Sequence, residues 1–352
     1  MSEMLEYIVD ATNKILKKHV TKELVDASEK GEWSDQLWDV LVESGLVSVG
    51  IEEDLGGTGG DATDGFAILR LAGKYAAPVP IFETIIAGWL LAEYKVETTY
   101  EPISFIINFK NDLKSSDIVL KQVPWGRHVK KVVYIGKING VAKIAILPTE
   151  HATVKPNQNL AGEPLDNLHF NGINLEKLTQ FDVDQQEIFK KVMTLAALGK
   201  SAMMSGAMEQ VLDMSVFYAG ERQQFGRPIG KFQAVQHHLS ALTAETAVVL
   251  AALNYAIVAF QEGTIKEELP LAKMKISESA GIVAGIAHQL HGAIGMTHEH
   301  QLHQLSRRLW AWREDYGNES YWAKKLAKTY IEDNNLTLWE FITNEKRGNV
   351  NV

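Results

Sequence analysis

The chain has 352 residues, 46% hydrophobic and 22% charged, with a formal net charge of −9 and no cysteine. This is ordinary globular composition, long enough for two or three packed units. The acidic balance without a basic run excludes nucleic acid and anionic membrane surfaces as expected partners, and the missing cysteines exclude disulfides, thiolate metal sites and cysteine nucleophiles.

Residues 1–100 predict a helical domain. The first twenty residues, MSEMLEYIVDATNKILKKHV, carry charge throughout and hold no apolar signal core, so the chain is expected in the cytoplasm. Leu5, Ile8, Val9 and Ala11 make one helical stripe, and Trp33, Leu37, Val40 and Leu41 make a second. The glycines of EEDLGGTGGD predict a turn, with Asp61 or Asp64 capping the following helix. The loop lacks both GxGxxG spacing and a following GK[ST], so it reads as a turn rather than a phosphate loop.

Residues 101–183 predict a small β domain. ISFIINF, KKVVYIGKI and GVAKIAIL are short, β-branched runs bounded by Gly, Asn and Pro, and Asn139-Gly140 suits a tight hairpin. Residues 184–352 return to helix. Long periodic runs begin near Gln185, Thr243 and Leu271 and predict an antiparallel bundle. The longest apolar stretch, AVVLAALNYAIVAF at 247–260, falls short of the roughly 20 residues a membrane span needs and is expected as a buried core helix. The fold class is therefore α+β, mainly helical. Its helices and strands are segregated, which disfavours a parallel nucleotide-binding sheet.

Three segments carry candidate chemistry. The run HQLHGAIGMTHEHQLH holds five histidines, but no third ligand joins His288 and His291, and Leu302 interrupts the HExxH pattern opened by His298, so these read as structural or surface histidines. In GERQQFGRPIGKFQAVQ, Arg222 and Arg227 flank a polar, aromatic turn ahead of a helix start. Such a segment suits phosphate, and it equally suits a helix–helix connection with solvated charges. WREDYGNES, 312–320, sets Glu314 and Asp315 beside Tyr316 and Gly317. A continuous helix there would turn successive residues by about 100°, leaving at most one of the three on a shared face.

Arg222, Phe225, Gly226 and Gln233 resemble the RxxFG…Q signature of the acyl-CoA dehydrogenase family. QLHGAIG, 289–295, is similar to that family's QxxGGxG turn with Ala293 at the second Gly, and EEDLGGTGGD is similar to its N-terminal PEEYGGxG turn. The helix–strand–helix order covers nearly the whole chain. The resemblance implies an N-terminal helical domain, a β domain and a C-terminal four-helix bundle. It implies FAD as cofactor, oxidation of an acyl-CoA thioester to the 2-enoyl form, and an electron-transfer flavoprotein or similar acceptor. It further implies a dimer or tetramer, in which Arg222, Gln224, Phe225, Gln233, Gln289, Gly292 and Ala293 meet the FAD of a neighbouring subunit.

The chain departs from the family pattern twice. Nothing between 101 and 130 matches the TEPxxGSD flavin loop, for which KSSD at 114–117 is a faint echo. The family's catalytic Glu, directly before a Gly, aligns with Tyr316, whose ordinary pKa near 10 makes a poor base. The family's alternative base position falls on Ala196 or Ala197. A one-residue displacement makes Asp315 the base. The other reading is a catalytically silent subunit that completes a partner's FAD site in a heterotetramer with a sibling dehydrogenase.

Overall fold

The computed structural model describes residues 3–332 apart from 99 and 115, so the end of the expected bundle domain, 333–352, lies outside the described residues. Five helices come first: α1 (Glu3–His19), α2 (Lys22–Glu29), α3 (Asp35–Glu43), α4 (Ala62–Lys74) and α5 (Ile81–Ala92). The glycine-rich turn ends in a capping box. Asp61 accepts from the Asp64 amide, and the Asp64 side chain accepts from the Asp61 amide. The α3 stripe is buried through Leu37 and Leu41, with Ser34 as its N-cap.

Seven strands follow: β1 (Ile103–Leu113), β2 (Ile118–Pro124), β3 (Lys131–Ile138), β4 (Val141–Pro148), β5 (Ala152–Lys155), β6 (Leu165–Phe170) and β7 (Gln180–Asp182). They form a four-stranded sheet in the order β1-β3-β4-β7 and a three-stranded sheet in the order β2-β6-β5. β1 runs parallel to β3 and the other neighbours are antiparallel. Asn139 and Gly140 turn β3 into β4 with φ of 51° and 80°, as a two-residue primed turn requires. A core of Leu120, Val132, Tyr134, Ala145, Leu168 and Phe170 joins the two sheets.

The rest is helical: α6 (Gln185–Glu221), a two-residue ribbon of β8 (Gln223–Gln224) and β9 (Arg227–Pro228), α7 (Gln233–Gln261), α8 (Glu268–His291), α9 (Leu302–Glu314) and α10 (Glu319–Glu332). Helices α6 to α9 pack on one another as the bundle, and α10 lies on α8. Helix α6 also joins the bundle to the N-terminal helices. A Cβ on Gly206 would stand 1.8 Å from the Arg70 carbonyl, and one on Gly73 would stand 1.9 Å from the Met203 carbonyl. Only glycine lets α4 and α6 meet backbone to backbone there.

Two expectations need correction. The stretch 247–260 belongs to α7, which is 29 residues long and apolar enough to cross a membrane by length and composition, yet only 28% of its most apolar window is buried. Val249, Leu253, Ala256 and Ala259 face the bundle, while Val248, Tyr255 and Val258 are exposed. A helix apolar all round keeps only one face in a single-chain core, so apolarity alone overstated its burial. The stretch 312–316 is not continuous helix. Helix α9 stops at Glu314, Asp315 is extended at ψ 134°, and Tyr316 and Gly317 take φ of 53° and 96°.

Candidate active-site cleft and cofactor end

The break after α9 opens onto a cleft of about 390 Å³ between the β1–β2 side of the sheets and the bundle. Because the helix has ended, Glu314, Asp315 and Tyr316 all line this cleft. The other walls come from Glu83 on α5, Phe105 and Ile107 on β1, Trp125 after β2, Glu163 before β6, and Met193 and Lys200 on α6.

One ammonium stands among the acids. Lys200 Nζ lies 3.6 Å from Glu83 and 3.7 Å from Asp315, both longer than a hydrogen bond, and 4.2 Å from the centre of the Phe82 ring. Lys200 and Glu83 are almost wholly buried, whereas the Asp315 side chain keeps 40% of its surface open. Burial raises the carboxyl pKa of Asp315 and of Glu83, and Lys200 only partly offsets it. Burial opposes the charge on Lys200 as well, but the carboxylates of Glu83, Asp315 and Glu163 outweigh it and hold its pKa above the ordinary lysine value. One cation facing three acids thus stays charged, while Glu83 and Asp315 keep protons to higher pH than usual.

Tyr316 takes a different part. Its ring stacks on Phe105 at 5.8 Å and tilts against Phe82 at 5.7 Å, and burial, followed by the charges of Asp315 and Glu83, pushes its phenol well above its usual value. Tyr316 is therefore an aromatic wall. Ala196 and Ala197 are fully buried in α6, and Lys200 stands one helical turn beyond Ala196.

The α9 end is tied down from several sides. Lys273 on α8, fully buried, donates to the carbonyls of Trp312 and Arg313 at 3.3 Å, and burial pushes its pKa down to about 8. Glu163 accepts from the Trp312 indole at 2.9 Å and the Asn159 amide at 2.8 Å, linking the β domain to α9. Arg307 and Arg308 both pair with Glu29 of α2. Among the described residues of KSSD none lines the cleft, and Asp117 accepts from the Gly172 amide within the β domain.

The other candidate residues gather at the far end of the bundle. Phe225 and Gly226 turn the β8–β9 ribbon with φ of 52° and 79°, and Phe225 is 91% exposed. Tyr218, one turn before Arg222, stacks on His291 at 4.5 Å and donates to its carbonyl at 3.4 Å. That contact brings the ribbon beside the turn at Gly292, where φ is 61°. Arg222, Gln224, Phe225, Gln233, Gln289, Gly292 and Ala293 are all exposed. Two arginines, amide side chains, an open glycine backbone and an aromatic face suit a pyrophosphate and an adenine. The histidines of 288–303 pack mainly against rings, His288 on Trp310 and His300 on His291. Among the described residues no group of three or more His, Asp or Glu could hold a metal ion.

Two sequence models of one family, the acyl-CoA dehydrogenase N-terminal and C-terminal domains, match residues 2–96 and 187–321. The chain belongs to the acyl-CoA dehydrogenase family. Acyl-CoA dehydrogenase IpdE2 of Mycolicibacterium smegmatis is 27% identical over 317 residues, covering 88% of this chain and 93% of its own. The fold matches the ChsE4–ChsE5 complex of Mycobacterium tuberculosis with a TM-score of 0.84 at 19% identity, over 94% of this chain and 98% of that one. It also matches butyryl-CoA dehydrogenase from Megasphaera elsdenii with a TM-score of 0.79 at 18% identity, over 94% and 99%.

In this family member, sequence motifs brought the ribbon and the Gln289 turn to notice but missed Glu83, Glu163, Lys200 and Lys273. A signal existed for two of them. Glu83 is the sole charge in IFETIIAGWLLA and Lys200 the sole charge in MTLAALGKSAMMSGAM, and a lone ionisable group in an apolar helix needs a buried partner.

Proposed function

We propose that this chain catalyses the FAD-dependent α,β-dehydrogenation of an acyl-CoA thioester, with Asp315 as the base that removes the α-proton. The observation that carries this reading is Asp315 itself, open to the cleft and raised in pKa by its burial. A thioester α-proton is weakly acidic, so its base works best with a pKa lifted towards the working pH. Phe105, Ile107 and Met193 supply apolar walls for the acyl group, and Tyr316 closes the side beside the base. Bound FAD supplies the acceptor for the hydride that leaves the β-carbon.

Arg222, Gln224, Phe225, Gln233, Gln289, Gly292 and Ala293 would hold the pyrophosphate and adenosine of that FAD. They would do so for a neighbouring subunit. Lys200 and Arg222 are 22 residues apart on one helix, about 33 Å along its axis, which is longer than an FAD molecule. The exposed side of α7, with Val248, Tyr255 and Val258, gives such a neighbour an apolar surface to cover. The electrons would pass to an electron-transfer flavoprotein or similar acceptor.

Tyr316 supports a second reading, in which the chain is a silent subunit completing a partner's FAD site, because a stacked phenol fills the position of the family's base. Purifying the chain and recording its visible spectrum separates the two. A flavin band bleached by an acyl-CoA is expected. A colourless chain that turns yellow only when co-expressed with a sibling dehydrogenase would establish the silent subunit instead.

A further inference from the structure

We infer that Lys200 is a second catalytic residue, whose ammonium donates to the thioester carbonyl oxygen and stabilises the enolate formed as Asp315 removes the α-proton. The inference rests on the dehydrogenase reading and adds a role to a residue that reading leaves unused. Lys200 and Asp315 line one cleft, and Lys200 Nζ stands 3.7 Å from the Asp315 carboxylate. A thioester carbonyl oxygen is two bonds from the α-carbon. A substrate whose α-proton meets Asp315 therefore brings that oxygen within reach of Lys200.

The ammonium is free to donate in this direction. Glu83 and Asp315 hold it at 3.6 and 3.7 Å, as ion-pair partners rather than at hydrogen-bond distance. They keep it charged in a wall where burial alone would favour the neutral amine. Phe82 on one side and Trp312 on the other fix the head of the side chain, with ring centres 4.2 and 5.6 Å away. A charged donor fixed before the reaction, and aimed where negative charge develops, is the arrangement that lowers a transition state most. A lysine kept only for stability has no such need to border the cleft, since a buried ion pair is commonly replaceable by apolar residues without loss.

The step balances without an oxidant. The Asp315 carboxylate forms an O–H bond to the α-proton, and the C–H electron pair becomes the carbon–carbon double bond of the enolate. The carbonyl oxygen takes the negative charge opposite Lys200. The reverse step returns a proton to the α-carbon, so in deuterated water the α-position exchanges even when no hydride leaves.

That exchange is the test. The purified chain, carrying whatever flavin it retains, is mixed with butyryl-CoA in deuterated water, and deuterium at the α-carbon is followed by mass spectrometry. Wild type is expected to exchange, and Lys200→Met to exchange about 10²–10³-fold more slowly, the usual loss for one oxyanion donor. Its dissociation constant for butyryl-CoA should stay near wild type. If Lys200→Met does not fold, Lys200→Gln is read in its place, with a melting curve as control. Exchange at the wild-type rate in a folded neutral variant overturns the role of Lys200 and leaves the dehydrogenase reading standing. Exchange that falls only in step with weaker binding also overturns it. No exchange above a protein-free control in wild type itself overturns both.

Discussion

The middle of α6 and its C-terminal end are built in opposite ways. Around Lys200, groups from α5, α6, α8, α9 and the β domain close on one another, and ion pairs and hydrogen bonds tie these elements together within the chain. Around Arg222 almost nothing is covered: the ribbon, the Gln289 turn and the outer side of α7 all face outward. The contrast teaches that the cleft is closed by folding of the single chain, whereas the proposed cofactor end is left open to a ligand or a neighbour. Substitutions should therefore separate cleanly, those near the cleft lowering the stability of the single chain and those at the far end sparing it.

The largest effect is expected at Arg308. Arg308→Met removes one of the two arginines on Glu29 and the cation 3.5 Å from Glu163 in a nearly dry setting, and breaking one side of a buried pair costs about 3–5 kcal/mol. Urea unfolding of the purified chain measures it, and a loss under about 1 kcal/mol would mean that Arg308 is not what holds α9 to α2. Lys273 gives a pH signature of nearly the same size. Its folded pKa of about 8 lies below the unfolded value of about 10.4, so the unfolded chain binds more protons between those pH values. Its contribution is thus least favourable below pH 8 and improves as pH rises towards 10. Wild type should gain on Lys273→Met by up to about 3 kcal/mol between pH 7 and pH 10, and a gap that shrinks instead would reverse the sign argued here.

At the open end the effects move from folding to ligand and partner. Arg222→Ala should leave the melting temperature of the chain unchanged while weakening flavin retention by about 1.5–3 kcal/mol, roughly 10- to 150-fold, as loss of a charge-assisted bond does. Gel filtration with absorbance at the flavin band reads both. Smallest of all in stability, Val258→Glu should change the unfolding free energy by under about 0.5 kcal/mol yet reduce the oligomer size. A Val258→Glu chain that keeps the size of wild type would show that α7 is not the covered face.

The same contrast explains what could be read from the sequence. The open end is local: Arg222 to Gln233 and Gln289 to Gly295 are two short motifs, each legible where it stands. Helix and strand regions followed from periodicity and from Asn139-Gly140, and the Asp61 cap from its spacing to Asp64. The cleft is not local. Glu83, Glu163, Lys200 and Asp315 are separated by up to 232 residues and meet only after three regions pack. The end of α9 at Glu314 was also hidden, because the break depends on positive φ at Tyr316, and tyrosine seldom announces that conformation. For α7, apolar sequence gave length and type, but burial depends on which neighbour covers it.

The choice of base is tested most directly by the rate at which an acyl-CoA bleaches the flavin in Asp315→Asn, compared with wild type and Tyr316→Phe. Removing a general base costs about 10²–10⁴-fold. A fall of that size in Asp315→Asn, with Tyr316→Phe close to wild type, is the expected result. Bleaching at the wild-type rate in Asp315→Asn would contradict Asp315 as the base.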